Sequence, residues 1–204
     1  MKKLFVILFS SFVFIPNTYA TTSSASSYIL MDAQTGRVLQ GKDINNQKLI
    51  ASITKIMTCV IALENSNIED VVTVDESILK AYGSGIYIQI GEKIKIKDLL
   101  YGLMLRSGND AAIMLANYIS SSEEDFVKLM NNKAKELNLK NTNFVNSTGL
   151  DEEGHYSTAY DMAKIAQELL KYEDVLKYTS IYEDYIRKDT ENKSWIVNTN
   201  KTRC

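Results

Sequence analysis

The segment from Ser52 to Glu64 constrains the fold of this 204-residue chain more than any other. Ile53, Ile56, Met57, Val60 and Ile61 recur at the i, i+3, i+4, i+7, i+8 spacing that lines one face of an α-helix. Such a stripe is stable only when other elements cover it, and the flanking sequence predicts them. Tyr28–Met31 and Arg37–Gln40 read as a β-hairpin around Asp32–Gly36. Val71–Val74, Ile86–Ile90 and Ile94–Ile96 alternate like short strands, the last two around a Gly91-Glu92 turn. Lys97–Leu105 and Asn109–Ile119 are helical patterns hinged at Arg106-Ser107-Gly108. Ser122-Glu123-Glu124-Asp125 and Thr158–Asp161 resemble capping boxes opening helices to about Leu137 and Tyr172. The stretch 141–154 is loop-like, Trp195–Val197 is a late strand, and Tyr172–Tyr185 reads as half-exposed helix and strand packing. No Pro follows Pro16, so no Pro-rich linker divides the chain. This order predicts an α/β (α+β) domain, helices packed on a sheet, over residues 28–204.

Composition excludes several function classes. A net charge of -2 argues against a sequence-independent nucleic-acid partner, which needs a basic face to displace counterions. One His and two Cys exclude a Cys/His zinc site of the usual kind and a disulfide-dense scaffold. Cys59 reads as a small buried hydrophobe and Cys204 as a tail thiol. No cofactor or metal is expected, and Glu123, Glu124 and Asp125 read as a favourable helix N-terminus. Residues 1–20 carry a secretory signal pattern: Lys2-Lys3, the apolar run Leu4–Ile15, then Thr18-Tyr19-Ala20 before a cut near Ala20. A flexible leader, 21–27, follows. The protein is therefore expected outside the cytoplasm, in the cell wall or periplasm, touching the membrane only peripherally if at all.

Two short motifs carry chemistry. Ser52-Ile53-Thr54-Lys55 is an S-x-x-K, and residues three apart on a helix share a face. A serine hydroxyl needs an adjacent base, and a desolvated lysine can serve. A helix N-terminus would add free backbone N–H groups for an oxyanion. The alternative is a plain N-cap serine with a solvated lysine. Ser77-Ile78-Leu79-Lys80 has the same spacing but runs into Tyr82-Gly83-Ser84-Gly85, with no long buried helix behind it. Ser107-Gly108-Asn109, the one S-x-N in the chain, sits between two apolar helices. Its serine could relay a proton and its asparagine could hold an amide; it could equally be a helix break with Asn109 as the next cap.

In this order the motifs resemble the active-site serine penicillin-recognising enzymes. Four segments, Tyr28–Leu39, Ala51–Thr58, Asp98–Ala112 and Gly154–Ala159, are similar to the low-molecular-mass D-alanyl-D-alanine carboxypeptidases, and the resemblance runs from about residue 26 to Lys201. It implies a β-lactamase/transpeptidase-like fold, a helix-covered antiparallel sheet, and serine acyl-enzyme chemistry on peptidoglycan stem peptides ending in D-Ala-D-Ala. It implies Ser52 as nucleophile, Lys55 as base, Ser107 as proton relay and Asn109 as a substrate amide contact, with β-lactams as covalent inhibitors. The family's third motif, Lys-Thr-Gly, does not occur; Lys201-Thr202-Arg203 is not that motif. Asn198-Thr199-Asn200-Lys201 resembles the segment that precedes it. The expectation is a chain stopping short of the motif, missing its last strands, leaving Tyr28–Met31 with an unpaired edge, and weakly active or inactive. His155, in Gly-His-Tyr-Ser-Thr, is expected to make structural hydrogen bonds rather than a Ser-His pair. Two other readings are a class A-type β-lactamase, for which no segment matches the required Glu loop well, and a non-catalytic peptidoglycan-binding pseudoenzyme.

Overall fold

The structure, a computed structural model, describes residues 23–173, 177 and 179–199. The predicted signal segment, its cleavage point and the stretch from Asn200 to Cys204 lie outside the described residues. Five α-helices lie wholly within the described residues: α1 Lys55–Asn65, α2 Ile96–Arg106, α3 Asn109–Ile119, α4 Glu123–Glu136 and α5 Ala159–Leu169. Six strands accompany them: β1 Tyr28–Met31, β2 Val38–Lys42, β3 Val71–Thr73, β4 Lys93–Lys95, β5 Glu183–Ile186 and β6 Ser194–Val197. The predicted α/β (α+β) class is observed. Instead of one continuous sheet, the described strands form three antiparallel pairs, β1 with β2, β3 with β4 and β5 with β6. Beyond β2, β1 has no strand partner among the described residues, and Leu30 and Leu39 on this hairpin are about half exposed.

Helix α1 is the centre of the core. Met57, Cys59, Val60 and Ala62 have no exposed surface, and Ile61 has almost none. Burial of nearly consecutive residues means that α1 is covered on every side rather than along one stripe, because α2, α3, α4 and α5 all pack on it. Ile53, placed on that stripe by its spacing, is instead half exposed, because the helix begins later than the pattern does. Leu99, Leu100, Leu103, Phe126, Met130, Phe144 and Ile165 complete the interior. Cys59 is free and buried, as its apolar setting predicts, and burial pushes its thiol up to about 12.

Both helices open on the expected N-cap residue, with the cap half of each predicted box formed. Ser122 Oγ accepts from Asp125 N, and Thr158 Oγ1 from Asp161 N. The alternation at Ile86–Ile90 does not become a strand. Ile86 and Ile88 point inward and Tyr87 outward, but Tyr87 has φ +57°, and the Asp110 carboxylate accepts the N–H groups of Ile86 and Tyr87 that a neighbouring strand would otherwise bind. The Tyr-rich stretch contributes β5, which pairs Tyr185 with Trp195. This last hairpin is anchored by a buried ion pair, Arg187 to Glu92 at 3.0 Å, and by Thr199 N–H donating to the Leu105 carbonyl.

Candidate active site

Ser52 and Lys55 are one turn apart but in different elements. A 3-10 turn, Ala51–Thr54, precedes α1, so Ser52 is exposed on the turn while Lys55, the first residue of α1, is only 2% exposed. Ser52 is no N-cap: Ile50 holds the cap of the turn, Thr54 that of α1, and neither makes a side-chain cap bond. Nor is Lys55 a solvated first-turn residue. Its Nζ donates to Ser52 Oγ at 3.1 Å and to the Thr148 carbonyl at 2.6 Å. Burial pushes its pKa down to about 8, opposed by the negative charge of Asp110. The second S-x-x-K lacks this setting, since Ser77 and Lys80 lie on a 3-10 turn, Glu76–Lys80, with no buried residue.

The loop after α4 forms the other wall of the lysine slot. Thr58 Oγ1 donates to the Ser147 carbonyl at 2.6 Å, and Ser147 in turn donates through Oγ to Glu123 Oε1 at 2.7 Å. Asn146 Oδ1 accepts the Gly149 N–H at 2.7 Å. Gly149 has φ +82°, and a Cβ there would lie 2.0 Å from the Ala51 carbonyl oxygen, so only glycine permits this closeness to the turn carrying Ser52. Ala51 itself has φ +46°, a strained value for a residue with a Cβ. His155, 2% exposed, bonds to Thr54 Oγ1 and to Val145 N, not to Ser52. Its bonds are thus structural, as expected.

The second motif forms the corner between α2 and α3. Ser107, half-buried, takes the left-handed conformation at the C-cap of α2, with φ +56°, while Gly108 N–H donates back to the Gly102 carbonyl. Asn109 is the first residue of α3; Gly108 is its N-cap, so Asn109 is not a cap. Asn109 is 5% exposed, its backbone N–H donates to the Ser84 carbonyl, and one side-chain N–H donates to the Tyr82 carbonyl. One of the donors expected to be available for a substrate amide is therefore committed within the protein. α1 packs on both α2 and α3, and the carboxylate of Asp110, next to Asn109, is felt at Lys55. A cavity of about 170 Å³ lined by Tyr82, Gly83, Tyr87 and Asp110 opens beside this corner.

The pattern matches a known one over almost the whole chain: the D-alanyl-D-alanine carboxypeptidase family model covers residues 16–203. The chain belongs to that family. It is 50% identical over 182 residues to the D-alanyl-D-alanine carboxypeptidase DacF of Bacillus subtilis, covering 87% of this chain and 47% of that protein. To DacA of Escherichia coli it is 35% identical over 174 residues, covering 78% of this chain and 42% of the relative. Among solved structures, a mutant Streptomyces K15 DD-transpeptidase superposes with a TM-score of 0.83 at 29% identity, covering 89% of this chain and 76% of that one. Penicillin binding protein 6B from Escherichia coli gives 0.80 at 31% identity, with 92% and 62% covered. The chain thus spans about half the length of these curated relatives. The transpeptidase-like fold implied by the motifs is the fold of these neighbours. The sequence alone points to no role for Asp110, Thr148 or Gly149, and it points to Glu123 only as part of a favourable helix N-terminus, not as the acceptor of Ser147. The positive-φ demand at Gly149 could have been suspected from Asn-Ser-Thr-Gly, but its contact with Ala51 joins residues about a hundred positions apart.

Proposed function

We propose that this chain is, or is part of, an exported serine-type D-alanyl-D-alanine carboxypeptidase acting on peptidoglycan stem peptides. The observation that carries the reading is the placement of the Lys55 amine between Ser52 Oγ and the Thr148 carbonyl. A neutral amine has two N–H bonds and one lone pair. Once the amine is neutral, with one N–H still donated to Thr148, its lone pair can accept from the Ser52 hydroxyl, reversing the bond the ammonium makes, and Lys55 takes the proton as Oγ bonds to the carbonyl carbon of the penultimate D-Ala. The tetrahedral intermediate then expels the terminal D-Ala amine, which needs a proton. The proton that Lys55 took from Ser52 reaches it through Ser107, the proposed relay, which restores the neutral amine; Asn109 is the proposed contact to the stem-peptide amide. Water attacks the resulting ester and releases Ser52. The relatives named D-alanyl-D-alanine carboxypeptidase and the penicillin binding proteins among the neighbours support substrate and inhibitor class alike. Export rests on the sequence pattern of residues 1–20; no helix among the described residues is long and apolar enough to cross a membrane.

The test is mass spectrometry of the purified chain after incubation with benzylpenicillin. A penicilloyl mass is expected on the peptide that contains Ser52, absent in Ser52→Ala. An unmodified peptide after prolonged incubation overturns the proposal for this chain, and rapid loss of the adduct with turnover of the β-lactam would mark a β-lactamase.

A further inference from the structure

His155 is the one histidine of the sequence, and its two ring nitrogens reach opposite walls of the slot that holds Lys55. On one side, Nε2 lies 2.8 Å from Oγ1 of Thr54, the residue immediately before Lys55. On the other, Nδ1 lies 3.2 Å from the backbone nitrogen of Val145. A backbone N–H can only donate, so Nδ1 must offer its lone pair, and the imidazole proton must sit on Nε2 and be donated to Thr54. Val145 opens the short run that ends at Thr148, whose carbonyl binds the Lys55 amine. The ring is further fixed edge-on to Phe144, with centroids 5.9 Å apart. An imidazolium would present N–H to N–H at Val145 and could not occupy this position unchanged.

We propose that His155 is a positioning residue: the neutral, Nε2-protonated imidazole braces the turn of Ser52 to Lys55 against the 145–148 run and so fixes how deeply the Lys55 amine is buried. Burial is the main influence on both groups, disfavouring charge on each. Asp110 opposes it at Lys55, and Glu152 and Asp151 oppose it at His155. Loosening either end of the brace admits water to the slot and returns the lysine toward its ordinary proton affinity. The catalytic consequence rests on the lysine-base reading above; the brace itself does not.

The experiment uses the full chain. Nitrogen-15 spectra of its single imidazole should show the Nε2–H tautomer throughout pH 6 to 8. Carbon-13 titration of the Lys55 ε-carbon is then compared in wild type, His155→Gln, His155→Asn and Thr54→Val. Gln can still donate to Thr54 but brings no acceptor to Val145; Asn does the reverse. Each variant should raise the Lys55 midpoint by about one pH unit, leaving about tenfold less neutral amine at pH 7. Penicillin acylation should slow about tenfold at pH 7 and recover near pH 10, with non-covalent binding unchanged. A purely structural role would lower the melting temperature and leave the midpoint where it was. An Nδ1–H tautomer, or an unmoved Lys55 midpoint in folded variants, overturns the proposal. Should the His155 variants not fold, the wild-type tautomer and Thr54→Val decide. Absence of any penicilloyl adduct on wild type, with the spectra as expected, would remove the acylation reading and leave the brace standing.

Discussion

Replacing Lys55 by Met separates what the lysine does for chemistry from what it does to the fold. Lys55 is buried, and its pKa falls from the ordinary 10.5 to about 8. A drop of that size means that the fold disfavours the ammonium by about 3 kcal/mol. Because the folded value lies below the unfolded one, the unfolded chain binds more protons between those two values. Stability therefore rises as pH climbs through that window, and the full penalty is present below pH 8. Met fills a similar volume without charge and removes the penalty. It leaves the buried Thr148 carbonyl without its donor, at a cost of about 1–3 kcal/mol. At pH 7 the variant should be as stable as wild type or up to about 2 kcal/mol more stable. At pH 10 wild type recovers about 2–3 kcal/mol relative to the variant, so the order levels or reverses. Urea unfolding of both proteins at pH 7 and pH 10 measures the difference, and other titrating groups cancel in it. Penicillin acylation of the variant should fall by about 10²–10⁴-fold at every pH. A stability difference that does not change between pH 7 and pH 10 refutes the reasoning.

Further outcomes follow from single contacts. Gly149→Ala places a Cβ against the Ala51 carbonyl at a positive φ and should cost more than about 2 kcal/mol in chemical denaturation, since backbone must move. Asp110→Ala strands the N–H groups of Ile86 and Tyr87, so their amide exchange should accelerate strongly, while Asp110→Asn, keeping one acceptor oxygen, should have a smaller effect. Arg187→Met leaves the buried Glu92 carboxylate unpaired and should destabilise by about 3–5 kcal/mol; adding Glu92→Leu should recover most of that loss in thermal melts. The Cys59 thiol, buried and pushed up to about 12, should resist Ellman's reagent at pH 8 in the native protein and react once denaturant is added.

Local chemistry was legible in the sequence wherever it depends on neighbours along the chain. Helix α1, the hinge at Ser107-Gly108 and the caps at Ser122 and Thr158 each follow from spacing within a few residues, and all are observed. The pairing of Ser52 with Lys55 is local in the same sense, because one helical turn sets their separation. The strand-like alternation at Ile86–Ile90 misled for a long-range reason: the Asp110 carboxylate captures the N–H groups that would have paired a strand. Only the tertiary structure decided that Lys55 is buried, that Thr148 orients its amine, that Gly149 lies against Ala51, and that His155 joins both walls. Spacing can place a hydroxyl and an amine on one face. The proton affinity of that amine is set by what excludes water from it, and those groups come from a loop some ninety residues downstream, brought there by the burial of α1 among its neighbouring helices.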